Sequence, residues 1–195
     1  ARYEQVGKEF SDADYGMYSG LRMAWLLTKT AIPEDRRRAM GLYLDLAHKA
    51  KDPKVAEEAF YFAAQVSLLD ERYEESASLF QTLRTKFPNS PRIAESALAA
   101  GWANYYAGHY KEGSEILNLV FGNAQHPARE EVLYVKANCL RQLEQRTEAV
   151  EVYAKQLAEF PEGRLAKQAW YEKLSTLYSD GKYKDVLLVS AQMQT

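Results

Sequence analysis

The sequence predicts an all-α fold, a solenoid of antiparallel helix pairs, and three observations predict it. A phrase spaced three then four recurs as Tyr3, Val6 and Phe10, as Phe80, Leu83 and Phe87, and as Tyr153, Gln156 and Phe160. Five anchor positions, Leu27, Ala64, Gly101, Ala137 and Leu174, follow one another at intervals of 37, 37, 36 and 37 residues. Helix breakers punctuate the same period, as in Phe87-Pro88-Asn89-Ser90-Pro91 and Phe160-Pro161-Glu162-Gly163. A unit of this length cannot bury a core alone, so neighbouring units must stack.

The helices follow in order. The first runs near 20–31, and Pro33 opens the second, near 34–50. Pro53 opens the third, near 54–69, and the fourth, near 72–86, stops at the Phe87-Pro88 breaker. Pro91 opens the fifth, near 91–107, with Gly108 in the turn to the sixth, near 110–121. Pro127 opens the seventh, near 127–142, and the eighth, near 146–159, ends at Phe160-Pro161. The ninth, near 164–179, turns through Gly181 into the tenth, near 182–193. A proline in the first turn lacks only an amide that has no intrahelical partner, and glycine suits the turn between paired helices.

From Ala64 the residues Tyr73, Ser76, Phe80, Leu83 and Pro88 lie at offsets that recur from Gly101 as Tyr110, Gly113, Leu117 and Val120. With each anchor at the eighth position of a unit, this register resembles the tetratricopeptide repeat, and Phe60, Ala64, Tyr73, Ser76, Phe80 and Pro88 carry the likeness. Positions 8 and 20 face each other where the two helices cross, so Gly, Ala or Ser is needed there, while the aromatic at 24 fills the space toward the next unit. Gly101 against Gly113 fits; Leu27 and Leu174 depart from the pattern. The resemblance implies a right-handed superhelix of about five units, near 20–56, 57–93, 94–129, 130–166 and 167–195, with 1–19 the end of a preceding unit. The whole of 1–195 then reads as one domain and as a fragment of a longer chain.

Composition narrows the function classes. With 47% hydrophobic and 27% charged residues the 195-residue chain can bury a core. Twenty-five Lys and Arg balance 27 Asp and Glu, a net charge of -2 that offers no footprint for nucleic acid. No apolar run is long enough to insert into a membrane directly. His48, His109 and His126 fall at a helix end, a turn and a loop, without metal-ligand spacing. The lone Cys139 reads as a packed thiol rather than a nucleophile. Arg36-Arg37-Arg38 opens a B helix and reads as a solvated face. No catalytic, metal or cofactor site is expected, and the chain is not expected to be an enzyme.

In the resembled family the first (A) helix of each unit lines the concave face through positions 2, 5, 6, 9, 12 and 13. Those positions hold Glu58, Tyr61 and Gln65 in the second unit and Glu95, Trp102, Tyr105 and Tyr106 in the third. They hold Glu131, Tyr134, Asn138 and Arg141 in the fourth and Tyr171 and Tyr178 in the fifth. A ladder of polar-tipped aromatics with acids at position 2 is suited to a peptide that carries apolar and some basic side chains. The clamp with which chaperone-cofactor members hold a terminal carboxylate is missing: Tyr61, Gln65, Ala99, Glu131 and Val135 stand at its positions. Binding of such chaperone tails is therefore not expected.

The expectation is a protein-interaction module that binds a peptide or protein segment as a scaffold or adaptor. Two alternatives stand beside it: a structural or oligomerising subunit of a larger assembly, and the accessory solenoid of an enzyme whose catalytic part lies elsewhere. Oligomeric state is left open. The linker Phe87-Pro88-Asn89-Ser90 is similar to that of bacterial envelope proteins of the family, which favours the periplasm or cell envelope over the cytoplasm.

Overall fold

The computed structural model describes residues 14–30 and 32–192. The first copy of the recurring phrase, Tyr3 to Phe10, lies outside the described residues. Among those described, every regular element is a helix, as the spacing predicts: α1 Asp14–Thr28, α2 Pro33–Lys49, α3 Pro53–Leu69, α4 Tyr73–Lys86, α5 Pro91–Glu95, α6 Ala97–Tyr106, α7 Tyr110–Phe121, α8 Arg129–Gln142, α9 Arg146–Glu159, α10 Ala166–Ser179 and α11 Tyr183–Gln192.

Contacts group the chain into two compact units, one ending at Ser96 and the other beginning at Ala97. In the first, each of α1 to α4 packs on the next, and α1 also lies beside α3. In the second, each of α6 to α10 packs on the next, α6 lies beside α8, and α8 beside α10. Neighbouring A helices therefore touch within each unit, the arrangement that turns one side of that unit's own A helices to a common face.

Prolines stand in the first turn of α2, α3 and α5, and the Asp52 and Ser90 side chains accept from the amides of Lys54 and Arg92 at 2.9 and 3.1 Å. The A-to-B turns are stricter still. Glu71, Gly108, Glu144 and Gly181 have φ of 58°, 81°, 63° and 72°, at intervals of 37, 36 and 37 residues. Each repeat from the second to the fifth thus has one left-handed residue at the same place, and two of them use a glutamate that bears a steric cost glycine avoids.

The crossing of A and B helices is close where the register puts it. Ser76 Oγ donates to Ala64 O over 2.8 Å. A Cβ on Gly113 would sit 3.4 Å from Gly101 O, and one on Gly101 only 2.8 Å from Leu117 Cγ and Cδ2. Ala137 and Ala149 are fully buried at the corresponding crossing of α8 and α9. The position-24 aromatics Tyr43, Phe80 and Tyr153 lie in the core, each contributing about 1.5–3 kcal/mol of burial.

Two expectations are corrected. The first helix covers 14–28 rather than 20–31, and Leu27 is half-buried while Ala24 is fully buried and Gly20 meets Leu46. Thr28 and Thr30 hydroxyls donate to the carbonyls of Trp25 and Leu27, satisfying acceptors at the helix end before Pro33. The helix expected near 91–107 is divided at Ser96, whose hydroxyl donates to Arg92 O over 2.5 Å and competes with the helical ladder.

Candidate interaction surface

In the first unit the expected groove residues Glu58, Tyr61 and Glu95 gather around Arg92, which the sequence places in the helix opened by Pro91 and not among the face positions. Pro91 starts α5 and sets Arg92 on its first turn, from where the guanidinium lies 4.6 Å from the Tyr61 ring centroid and 5.6 Å from that of Phe62. It forms ion pairs of 3.6 Å with both Glu58 and Glu95. Glu95 also accepts from the Tyr61 hydroxyl at 3.3 Å. Burial, then the Glu95 carboxylate, raises the Tyr61 pKa above its usual value, with Gln65 hydrogen-bonded beside it. Phe62 stacks on the buried Tyr43 at 5.5 Å, so one side of this cluster belongs to the core.

In the second unit Trp102 is the centre. Its ring stacks on Tyr106 with centroids 5.1 Å apart and planes at 12°, and it meets Tyr105 edge-on at 6.0 Å and Tyr134 at 6.4 Å. The indole Nε1–H donates to Glu131 Oε1 over 2.7 Å, and Glu131 Oε2 pairs with Arg164 at 3.3 Å. Arg141 pairs with Glu172 at 3.3 Å. Tyr106, Tyr171 and Tyr178 stand exposed, at 51%, 70% and 65% of their surfaces.

Asn138 is a correction. It is only 2% exposed and accepts from the Tyr153 hydroxyl over 2.5 Å. It satisfies a buried phenol from α9 instead of facing a ligand, because a position-24 tyrosine, unlike phenylalanine, brings a hydroxyl that needs a partner.

The three position-2 acids are engaged by the chain itself: Glu58 and Glu95 by Arg92, and Glu131 by Arg164 and Trp102. The preceding position behaves alike, with Glu57 accepting from Ser90 Oγ and Glu130 from Leu165 N, both at 2.7 Å. Acid pairs at the start of an A helix therefore anchor the long linker that follows. The signal lay in the sequence as Glu57-Glu58 and Glu130-Glu131 followed about one repeat later by Arg92 and Arg164. A third arginine was also missed. Arg129, only 4% exposed, holds Glu159 through Nε at 2.8 Å and Nη2 at 3.1 Å and donates from Nη1 to Phe121 O.

The remaining titratable candidates are structural. Cys139 is buried against the would-be Cβ of Gly113, and burial pushes its thiol up to about 12. His126 Nδ1 accepts from Ala128 N at 3.2 Å, and His48 Nδ1 lies 2.7 Å from Leu44 O. Lys136 is buried with Nζ donating to Ser114 O, Ser114 Oγ and Asn118 Oδ1, each at 2.8 Å, and burial lowers its pKa. In the Arg36–Arg38 run, Arg37 and Arg38 are exposed while Arg36 pairs with Asp70 at 3.4 Å.

Comparison with known proteins bears on the fold. A family model described as YfiO, an outer membrane lipoprotein, matches residues 53–148. No curated protein matches the chain. Among solved structures, the chain is similar to the nearly identical TPR-like repeats of a kinesin light chain of Podosopora anserina, at 15% identity and TM-score 0.66, over 90% of this chain and 94% of that one. It is similar to an RS-1 MamA double mutant at 16% identity and TM-score 0.70, over 91% and 92% of the two chains. A tetratricopeptide repeat protein of Parabacteroides merdae aligns at 10% identity and TM-score 0.64, over 97% of this chain and 69% of that one.

Proposed function

Taking as premise that this chain is a tetratricopeptide-repeat protein, we propose that it is a scaffold or adaptor that binds a peptide or protein segment on the aromatic face of its A helices. The observation that carries the reading is the exposure of Tyr106, which stacks on Trp102, together with that of Tyr171 and Tyr178 on α10. Large rings with hydroxyl tips offer contact area with little rotamer entropy to lose, the composition of binding hot spots. Glu58, Tyr61, Gln65 and Glu95 form the corresponding face of the first unit, and Trp102, Tyr105, Tyr106, Glu131, Tyr134, Arg141, Tyr171 and Tyr178 that of the second. The match to a family described as an outer membrane lipoprotein supports placing it in the bacterial cell envelope. No helix among the described residues is long and apolar enough to cross a membrane.

The test is affinity capture with the parent and with Tyr106→Ala. A captured partner should bind the variant about thirtyfold more weakly, about 2 kcal/mol, with helicity unchanged. A partner indifferent to this substitution and to Tyr171→Ala moves the site off this face.

A second reading, self-assembly, is favoured by α11, where Tyr183, Leu187 and Leu188 are all exposed. Light scattering that finds a monomer at every concentration rejects it.

A further inference from the structure

We propose that the A-helix face of the second unit takes a proline-rich segment in the polyproline II conformation. This rests on the reading of that face as a docking surface and names the chemistry of its occupant.

Charge is the first argument. The charged residues at face positions of α6, α8 and α10 are Glu131, Arg141 and Glu172, and each is compensated within the unit: Glu131 by Arg164 and the Trp102 indole, Arg141 and Glu172 by each other. The exposed polar positions between the rings, Gln142, Gln168, Ser175 and Ser179, are uncharged. A face neutralised in this way offers no complementary partner to a strongly basic or acidic peptide.

The second argument is the backbone of the ligand. An extended strand needs a row of main-chain donors and acceptors, and a helix face has already used its own. An amphipathic helix lays a broad apolar face into a hydrophobic groove, yet Val135 is buried and Leu98 and Ala99 are half-buried, so that the most exposed apolar groups are tyrosine rings, the lining that suits a polyproline II segment. A polyproline II segment needs neither. Its carbonyls have no internal partner, its prolines donate nothing, and its conformation is preformed, so little entropy is lost on binding. Tyrosine answers both requirements, with a ring face for the pyrrolidine and a hydroxyl that donates to the carbonyl. Tyr134 and Tyr171 repeat at position 5, and Tyr105 and Tyr178 at position 12, which spaces such pairs along neighbouring A helices.

The experiment selects random displayed dodecapeptides on the whole chain, with counter-selection on Tyr171→Ser/Tyr178→Ser. Both tyrosines are exposed, and circular dichroism checks that helicity is kept. The expected outcome is enrichment of uncharged peptides with prolines three residues apart, and a blocked dodecaproline that binds the parent at least about tenfold more tightly than the variant. Enrichment of peptides that depend on the two tyrosines but lack proline overturns the proline-rich assignment and leaves the docking face standing. Absence of any tyrosine-dependent peptide overturns both.

Discussion

The Trp102 indole donates to Glu131 Oε1 over 2.7 Å, joining α6 to α8 through side chains 29 residues apart. The bond fixes the ring about which Tyr105, Tyr106 and Tyr134 are arranged. Glu131 also meets Arg164, but that arginine side chain is 73% exposed, and an ion pair so open to water is worth little. The charge-assisted indole bond is the stronger of the two. Glu131→Gln should lower stability by about 1 kcal/mol, whereas Arg164→Ala should stay within about 0.5 kcal/mol of the parent. Urea midpoints of the two variants decide it. Equal losses would mean that Glu131 is held chiefly for the arginine.

Gly101 and Leu117 set how closely α6 and α7 approach. A Cβ at position 101 would lie 2.8 Å from Leu117 Cγ, a branch point that cannot swing aside as a side-chain tip can. Gly101→Ala should therefore destabilise by about 1–3 kcal/mol despite alanine's better helix propensity, and Gly101→Leu by at least as much. The double variant Gly101→Ala/Leu117→Ala should lose less than the sum of the single ones, since the cavity left by leucine takes up the added methyl. Additive losses in a double-mutant cycle would place the clash elsewhere.

What could be read from the sequence is what local spacing dictates. The repeat, the helix pairs and the crossings of Gly101 with Gly113 and Ala64 with Ser76 depend on offsets within one unit, and packing enforces them there. Residues whose meaning depends on the next unit were harder to read. Glu58 and Glu131 looked like ligand-facing acids because position alone gives a direction and not an owner, and Arg92 and Arg164 reach them from roughly one repeat later. Asn138 shares position 9 with Trp102, yet a hydroxyl on Tyr153 draws it inward. Glu71 and Glu144 hid a left-handed turn that Gly108 and Gly181 announced. The displaced first helix had the weakest anchor, Leu27, whose bulk cannot occupy a crossing.

Acid should weaken the second unit through Arg129 and Glu159. The buried guanidinium binds both carboxylate oxygens, at 2.8 and 3.1 Å, and these hydrogen bonds hold the Glu159 carboxyl below the usual carboxylate range. A group whose folded pKa is depressed contributes stability that is fully present above its unfolded value, about 4.3 for glutamate, and is lost as pH falls through the folded value. Glu159→Gln keeps the shape but leaves Arg129 without its counter-charge, and should cost about 2 kcal/mol at pH 7. Because the parent loses its own contribution in acid, the gap between the two proteins should narrow steadily below about pH 4.3. Denaturant midpoints measured from pH 7 to pH 3 check this, and a gap that stays constant with pH would show that the pair contributes through packing rather than charge.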